Sequence, residues 1–243
     1  MWKLFREEFS TRTIGASGFV ASLIIAGTSA ARGWPFPTRA SAPWFYQFTV
    51  RDFAVRYLLV ALFVLAVLVI CWCWWQCLLL AKNGKAKTPQ LVKVFLLISI
   101  PLCVAAPIFS GDVFVYAIDG EAMARGFSIY ESGVSAMGPH SDVHVVHPLW
   151  RHSMTMYGPL FMKMAEGFAL ISGGSVVISV LLMRLVAVLS VVIIGLSTYA
   201  ICKRIGRSPQ VGLAFVLLNP IVIFHLVGGA HNDATMTALL IAG

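Results

Sequence analysis

The sequence predicts an all-α protein, a polytopic bundle of transmembrane helices with about five to six spans. Two compositional facts and one pattern carry that reading. Of the 243 residues, 59% are hydrophobic and only 12% charged, against roughly 45–50% apolar and about 25% charged in soluble domains. Mean hydropathy is correspondingly high, at +0.85. Several apolar runs reach the ~18 residues needed to cross a hydrocarbon core of ~30 Å. These runs are continuous rather than alternating, so helices are the form that satisfies their backbone in lipid.

The net charge of +8 is spread as short Lys/Arg clusters at the ends of apolar runs. That distribution orients a membrane protein and argues against a nucleic-acid partner, which would need a basic face interleaved with aromatics. The five cysteines, Cys71, Cys73, Cys77, Cys103 and Cys202, lie in or beside apolar runs. They show no disulfide framework, and CWCWWQC has no matching His/Cys set elsewhere, so a buried, inert role is expected.

Taken in order, Lys3, Arg6 and Arg12 precede a first span over residues 14–31 and suit a cytoplasmic start. The run lacks a small-residue cleavage signal, which reads as a retained anchor. Residues 32–53 mix Trp34, Pro35, Pro37, Pro43, Trp44, Phe45 and Tyr46, the composition of a membrane–water interface, although Arg32, Arg39 and Arg51 fit an outside location poorly. A second span over 57–81 ends in Lys82, Lys85 and Lys87 and returns to the cytoplasm. A third, over 91–109, contains Pro101 and Pro107, which should bend it and free backbone groups near its exit.

Residues 110–175 are too polar for a simple span. Within them 158–172 is apolar but short and holds Lys163 and Glu166, so an amphipathic interfacial helix is expected. Parity agrees, because a strong span over 176–201 ends in Lys203, Arg204 and Arg207, which should be cytoplasmic. A fifth span over 211–227, interrupted at Asn219-Pro220, reaches the outer face at Gly228-Gly229-Ala230-His231-Asn232-Asp233. The chain thus divides into N-terminal spans (1–109), an outer-face region with a helix start and an interfacial helix (110–175), and further spans (176–243). A last apolar segment begins at Ala234 and stops at Gly243, so the chain is expected to be a truncated part of a longer protein.

Three features offer chemistry. Asp112, placed second or third in a helix capped by Ser110, would sit at the positive end of the macrodipole as an ionised carboxylate able to act as a base. At 100° per residue Asp112, Tyr116 and Asp119 share one face and Glu121 the opposite one; an ordinary solvated helix start reads equally well. Arg184 lies about 12 Å inside a span, where an ionisable group is either functional, holding an anionic group such as a phosphate, or structural, snorkelling or paired with a carboxylate. In GGAHND, two glycines let a ligand approach the backbone while His231, Asn232 and Asp233 supply donors and acceptors. His140, His144, His147 and His152 lack the spacing of a zinc site. Trp150 and Tyr157 could stack on a sugar.

The segments SGDVFVYAIDGEAMARGFSIYESG, HPLWR, YGPLF and LLNPIVIFHLVGGAHND, in this order over roughly residues 90–243, resemble the actinobacterial polyprenol-phosphate-mannose-dependent alpha-(1→6)-mannopyranosyltransferases. The resemblance implies a GT-C fold in the plasma membrane with the active site away from the cytoplasm, polyprenyl phosphate mannose as donor, and an alpha-1,6-mannan lipoglycan as acceptor. It implies Asp112 as catalytic base. Arg184, His231, Asn232 and Asp233, with Arg125 and Arg151 as further candidates, would stand on the donor side, and Tyr116, Asp119, Trp150 and Tyr157 on the acceptor side. No cofactor and no metal ligand is expected, the need for a divalent ion being open. The chain departs from the family at Gly111, where a basic residue is usual, and has about half the expected spans. A transporter or flippase of an anionic lipid-linked substrate is the alternative, with Arg184 and the broken fifth helix lining its path.

Overall fold

The computed structural model describes residues 9–29, 52–138 and 142–243, with the backbone of 31–32 and 48–49. Lys3, Arg6, Arg39, Arg51, the interfacial aromatics and prolines of 34–46, and His140 lie outside the described residues. The fold is all-helical: α1 (Thr11–Ser29), α2 (Phe53–Lys82), α3 (Thr88–Cys103), α4 (Asp112–Ala124), α5 (Pro159–Ile171), α6 (Val176–Arg204), α7 (Pro209–Leu217), a π-helical segment Val222–Gly228, and α8 (Asp233–Ala242). Between α1 and α2, Ala31–Arg32 and Phe48–Thr49 form a two-residue parallel pairing. Single 3-10 turns, Val134–Met137, Asp142–Val145 and Pro148–Trp150, shape the polar region between α4 and α5.

Each helix boundary has a local cause. Asp52 caps α2 by accepting the Val55 N–H at 2.9 Å, and Gly84, at φ 69°, turns the chain after it. Ser175 and Ser208 cap α6 and α7 in the same way. Pro159 and Pro209 occupy first-turn positions whose N–H would be unpaired in any case. The break at Asn219-Pro220 is real: α7 and the π segment meet at 59°. Pro220 has no N–H to give the preceding turn, and the Asn219 side chain takes the Ile221 N–H at 2.9 Å.

Among the described residues two helices, α2 and α6, are long and apolar enough to cross a membrane, or three spans if the bent α7–π pair is one. The expected count of five to six is not reached on these criteria. The run over 91–109 yields a helix of only 16 residues, because α3 stops at Cys103. In α1, Thr, Ser and Gly dilute the apolar residues. α2 turns Leu58, Val64, Leu65 and Leu68 outward, and α6 does the same with Leu185, Leu189 and Leu196, the surface that lipid would cover. The segment 158–172 forms the 13-residue α5, about 20 Å long and so too short to span. It packs against α4, where a Cβ on Gly120 would come within 2.5 Å of the Ala165 carbonyl.

Small residues also bring α1 onto α3, where Gly15 and Gly18 face Leu97 and Ile98, and α6 onto α7, where Gly195 faces Leu217. Such close approach is how helices associate where lipid removes the hydrophobic drive. α6 contacts α3, α4, α5, α7, the π segment and α8, and its ninth residue is Arg184, 1% exposed. One terminal guanidinium nitrogen donates to Cys103 O (2.7 Å) and Ala105 O (2.6 Å), the other to Gly228 O (3.1 Å). Cys103 O needs this partner because its helical donor would be the N–H of residue 107, a proline.

Replacing Arg184 with Leu strips three buried carbonyls of their donor. At about 1–3 kcal/mol for each unmet group, offset in part by relaxation, the variant should lose about 2–5 kcal/mol of stability in detergent denaturation, whereas Leu185→Ala on the outward face of α6 should lose less than 1 kcal/mol.

Candidate functional site

The coil after α3 and the coil after the π segment lie side by side, and each delivers one half of a polar site. Each half is preceded by a non-glycine residue in the left-handed region, Phe109 (φ 65°) before Ser110-Gly111-Asp112 and Ala230 (φ 52°) before His231-Asn232-Asp233. That conformation costs an L-residue roughly 1–2 kcal/mol, and tertiary packing holds it here. The Phe109 ring sits against Phe63 and Phe224, with centroids 5.8 and 6.0 Å away.

Asp112 is the first residue of α4. The N-cap is Gly111 rather than the expected Ser110, which contributes through its hydroxyl by accepting the Asp112 N–H at 3.2 Å. From the other half, His231 Nδ1 lies 3.6 Å from Asp112 Oδ2 and 3.8 Å from Asp233 Oδ2. Asn232 Oδ1 receives the Tyr116 hydroxyl at 3.4 Å. Tyr116 is fully buried, edge-on to Tyr157 (4.7 Å) and Phe161 (5.0 Å). Residues 116 positions apart thus make one polar wall, with α4 as its floor.

A cleft of about 120 Å3 opens beside this wall, lined by Asp112, Asp119, Trp150, Thr155 and Tyr157 among others. Asp112 and Asp119 therefore share a helical face, as their spacing predicts, and Trp150 and Tyr157 join them. Glu121 points away and pairs with Arg125. Arg151 is held in the loop by Val146 O and His144 O, each at 2.8 Å. Arg125 and Arg151 are not among the residues lining the cleft.

Arg184, read from the sequence as a donor-phosphate ligand or a structural group, is buried on main-chain carbonyls behind the wall. Its partners precede Asp112 on one side and His231 on the other, so it positions both halves. The physical reason is the donor deficit at the two chain breaks. Among the loop histidines, His152 Nδ1 bonds Ser135 Oγ at 3.0 Å and His147 accepts the Leu149 N–H at 3.3 Å.

Burial separates the two carboxylates of the cleft. Burial pushes Asp119 up to about 6, moderated by a hydrogen bond from Thr155, and its Oδ2 has no hydrogen-bond partner. Asp112 remains about one-third exposed. Burial and the neighbouring His225 lower the pKa of His231, against the opposing pull of Asp112 and Asp233. The imidazole is therefore neutral at neutral pH. Burial also raises Tyr157, to about 12, with Asp112 contributing, so it stays a hydrogen-bond donor.

His225 is the residue that sequence reasoning missed. Its ring stacks on His231 with centroids 3.7 Å apart and planes at 20°. In an ordinary helix the two would not be read as neighbours, but the wide π turn, closed by Gly229 N–H to Phe224 O at 3.0 Å, brings them together. A histidine three residues before GGAHND, just past Asn219-Pro220, is the signal that was available.

These features define a class: a helical membrane protein with a recessed carboxylate–histidine site built where two helices are broken. Comparison with known proteins specifies it further. Residues 15–243 match the family model described as alpha-(1→6)-mannopyranosyltransferase, N-terminal domain, and the chain belongs to that family. Alpha-(1→6)-mannopyranosyltransferase A of Corynebacterium glutamicum is 31% identical over 144 residues, 59% of this chain and 29% of the relative. An alpha-(1→6)-mannopyranosyltransferase of Mycobacterium tuberculosis is 35% identical over 146 residues, 59% and 25%. A Mycolicibacterium smegmatis protein is 32% identical over 166 residues, 68% and 30%. The matches cover between a quarter and a third of these relatives' length. No solved structure matches the chain.

Two outcomes follow. Because the Asp119 pKa is raised, the folded chain holds a proton that the unfolded chain has lost between about pH 4 and 6, so stability should fall as pH rises through that window; melting in detergent should show this slope, and Asp119→Asn should flatten it. A Cβ on Gly229 would meet His225 O and His231 Cδ2, both at 2.7 Å. Gly229→Ala should therefore displace the histidine pair and destabilise the protein by about 1–3 kcal/mol, whereas Gly167→Ala, where nothing lies near, should be neutral or stabilising.

Proposed function

We propose that the chain is the N-terminal part of a plasma-membrane mannosyltransferase that moves mannose from polyprenyl phosphate mannose to the 6-hydroxyl of an alpha-1,6-mannan lipoglycan, with inversion at the anomeric carbon. The observation that carries the reading is the cleft in which a partly exposed carboxylate, Asp112, stands beside a second carboxylate and two aromatic rings, with His231 3.6 Å from Asp112 on the adjoining wall. Family membership and the relatives' names support the sugar and the linkage. Polyprenyl phosphate as carrier, the lipoglycan acceptor, a cytoplasmic N-terminus and an outward-facing site are parts of the same proposal.

In this mechanism the acceptor sugar lies across Trp150 and Tyr157, with Asp119 and Thr155 taking its other hydroxyls. Asp112 accepts the proton of the 6-hydroxyl as that oxygen forms its bond to the anomeric carbon. The bond from that carbon to the phosphate oxygen breaks on the opposite side, and polyprenyl phosphate leaves with the electron pair. His231 and Asn232 face the donor. Arg184 acts by keeping the 104–111 and 228–233 coils together, so that base and donor wall stay in register. Transport is the weaker reading, because the cation expected to line its path is occupied by carbonyls of the fold.

A general base contributes typically 10²–10⁴-fold. Asp112→Asn in the full-length protein should therefore cut transfer of labelled mannose from polyprenyl phosphate mannose by at least about 10²-fold with donor binding retained. Unchanged transfer would reject Asp112 as the base.

A further inference from the structure

Expulsion of a lipid phosphate calls for positive charge on the donor side, and the cationic side chains expected there are committed elsewhere. Arg184 is buried on three carbonyls, Arg151 holds the 144–146 loop, and Arg125 pairs with Glu121. What the wall does offer is a set of metal ligands. One ligand atom from each of His225, His231 and Asp233 lies within 4.8 Å of the others.

We propose that His225, His231 and Asp233 form a binding site for a divalent cation of the Mn2+ or Zn2+ class, which takes the phosphate of the donor as a further ligand. The inference rests on the transferase reading for its role, and on the geometry alone for the site.

The polar atoms of this set stand close together without being hydrogen-bonded to one another. His231 is 6% exposed, yet its Nδ1 stands 3.6 Å and 3.8 Å from two carboxylate oxygens, beyond hydrogen-bond range. Two donors each about 2.1 Å from one ion lie roughly 3–3.5 Å apart, so closing the set takes an approach of the side chains and a turn of the His225 ring out of its stack, which aims its in-plane lone pair at the same centre as that of His231. Packing fixes the His231 imidazole, whose ring edge lies against Gly229, where a Cβ would fall 2.7 Å from Cδ2, and the stack keeps His225 beside it. The His231 Nε2 is buried without a hydrogen-bond partner, so this ring is not held by a hydrogen bond of its own. Asp233 is half-exposed and faces the side from which a ligand would arrive.

Mixed imidazole and carboxylate donors suit Mn2+ and Zn2+ better than Mg2+. Three protein ligands leave positions open for a phosphate oxygen, the arrangement of a catalytic rather than a structural site. The ion would polarise the phosphate and neutralise the charge that grows on it as the anomeric bond breaks. Asp112, with Oδ2 3.6 Å from His231 Nδ1, stands next to this set, so the base lies between the cation and the cleft that Asp112 lines.

The test titrates the 243-residue chain in lipid nanodiscs with Mn2+, following free Mn2+ by electron paramagnetic resonance, then adds Zn2+ as competitor. The expected result is one Mn2+ per chain, displaced by Zn2+, with binding weakened at least ten-fold in both Asp233→Asn and His225→Gln. Asp233 is exposed and its substitution isosteric, so that variant reports even if His225→Gln folds poorly. Absence of saturable binding of either ion, or binding unchanged in Asp233→Asn, overturns the site. In the full-length protein, transfer that survives EDTA but still depends on Asp112 overturns the cation and leaves the transferase standing. Saturable binding lost in Asp233→Asn without any mannosyl transfer supports the site and removes the transferase reading.

Discussion

The guanidinium of Arg184 is the group on which the rest of the structure depends. A charge inside an apolar span is costly unless its donors are met, and here the fold supplies acceptors by breaking two helices beside it. Pro107 takes away the donor that Cys103 O would have in a continuous helix. The turn at Ala230 ends the π segment just after Gly228, whose carbonyl accepts from the other side of the same cation. Arginine suits this task because its planar fork reaches several carbonyls at once, where a lysine would offer a single point charge. One side chain thereby stabilises the two coils that carry the polar residues, and those coils meet at one place.

That arrangement explains how a membrane chain can hold irregular backbone. Non-helical segments are tolerated at depth only where protein or a cavity satisfies them. The 104–111 coil has Arg184, the Asn219 break has its own side chain on the Ile221 N–H, and the 228–233 coil has Arg184 and Tyr116. The left-handed Phe109 and Ala230 are the strained points of the scheme, each one or a few residues before a site group. Strain held by surrounding packing is a recurrent feature of functional positions, and here it aims Asp112 and His231 at each other.

Much of this was legible in the sequence where the signal is covalent or local. Prolines 107 and 220 marked the breaks because each withholds an N–H from the preceding turn, whereas Pro101 is carried inside α3. Asp112, Tyr116 and Asp119 could be placed on one face because helical periodicity is fixed, and the passage from apolar to polar residues located both coils. The illegible parts depend on distance or on a change of period. Arg184 looked available for a ligand because its acceptors are main-chain carbonyls about 80 residues away in sequence, and carbonyls carry no sequence signature. His225 was hidden by the π turn, which alters the residue spacing. The third expected span is shorter than its hydropathy suggests, because hydropathy averages over Pro107 while the helix ends before it.

The central claim is that one buried cation couples the coil before Asp112 to the coil before His231, so that the two behave as one site. Hydrogen–deuterium exchange of the chain in nanodiscs, compared with an Arg184→Gln variant, tests it most directly. The account predicts that peptides covering 104–113 and 226–234 lose protection together while α2 and the α1–α3 contact keep theirs. Loss of protection in only one of the two segments, or in neither, would contradict it.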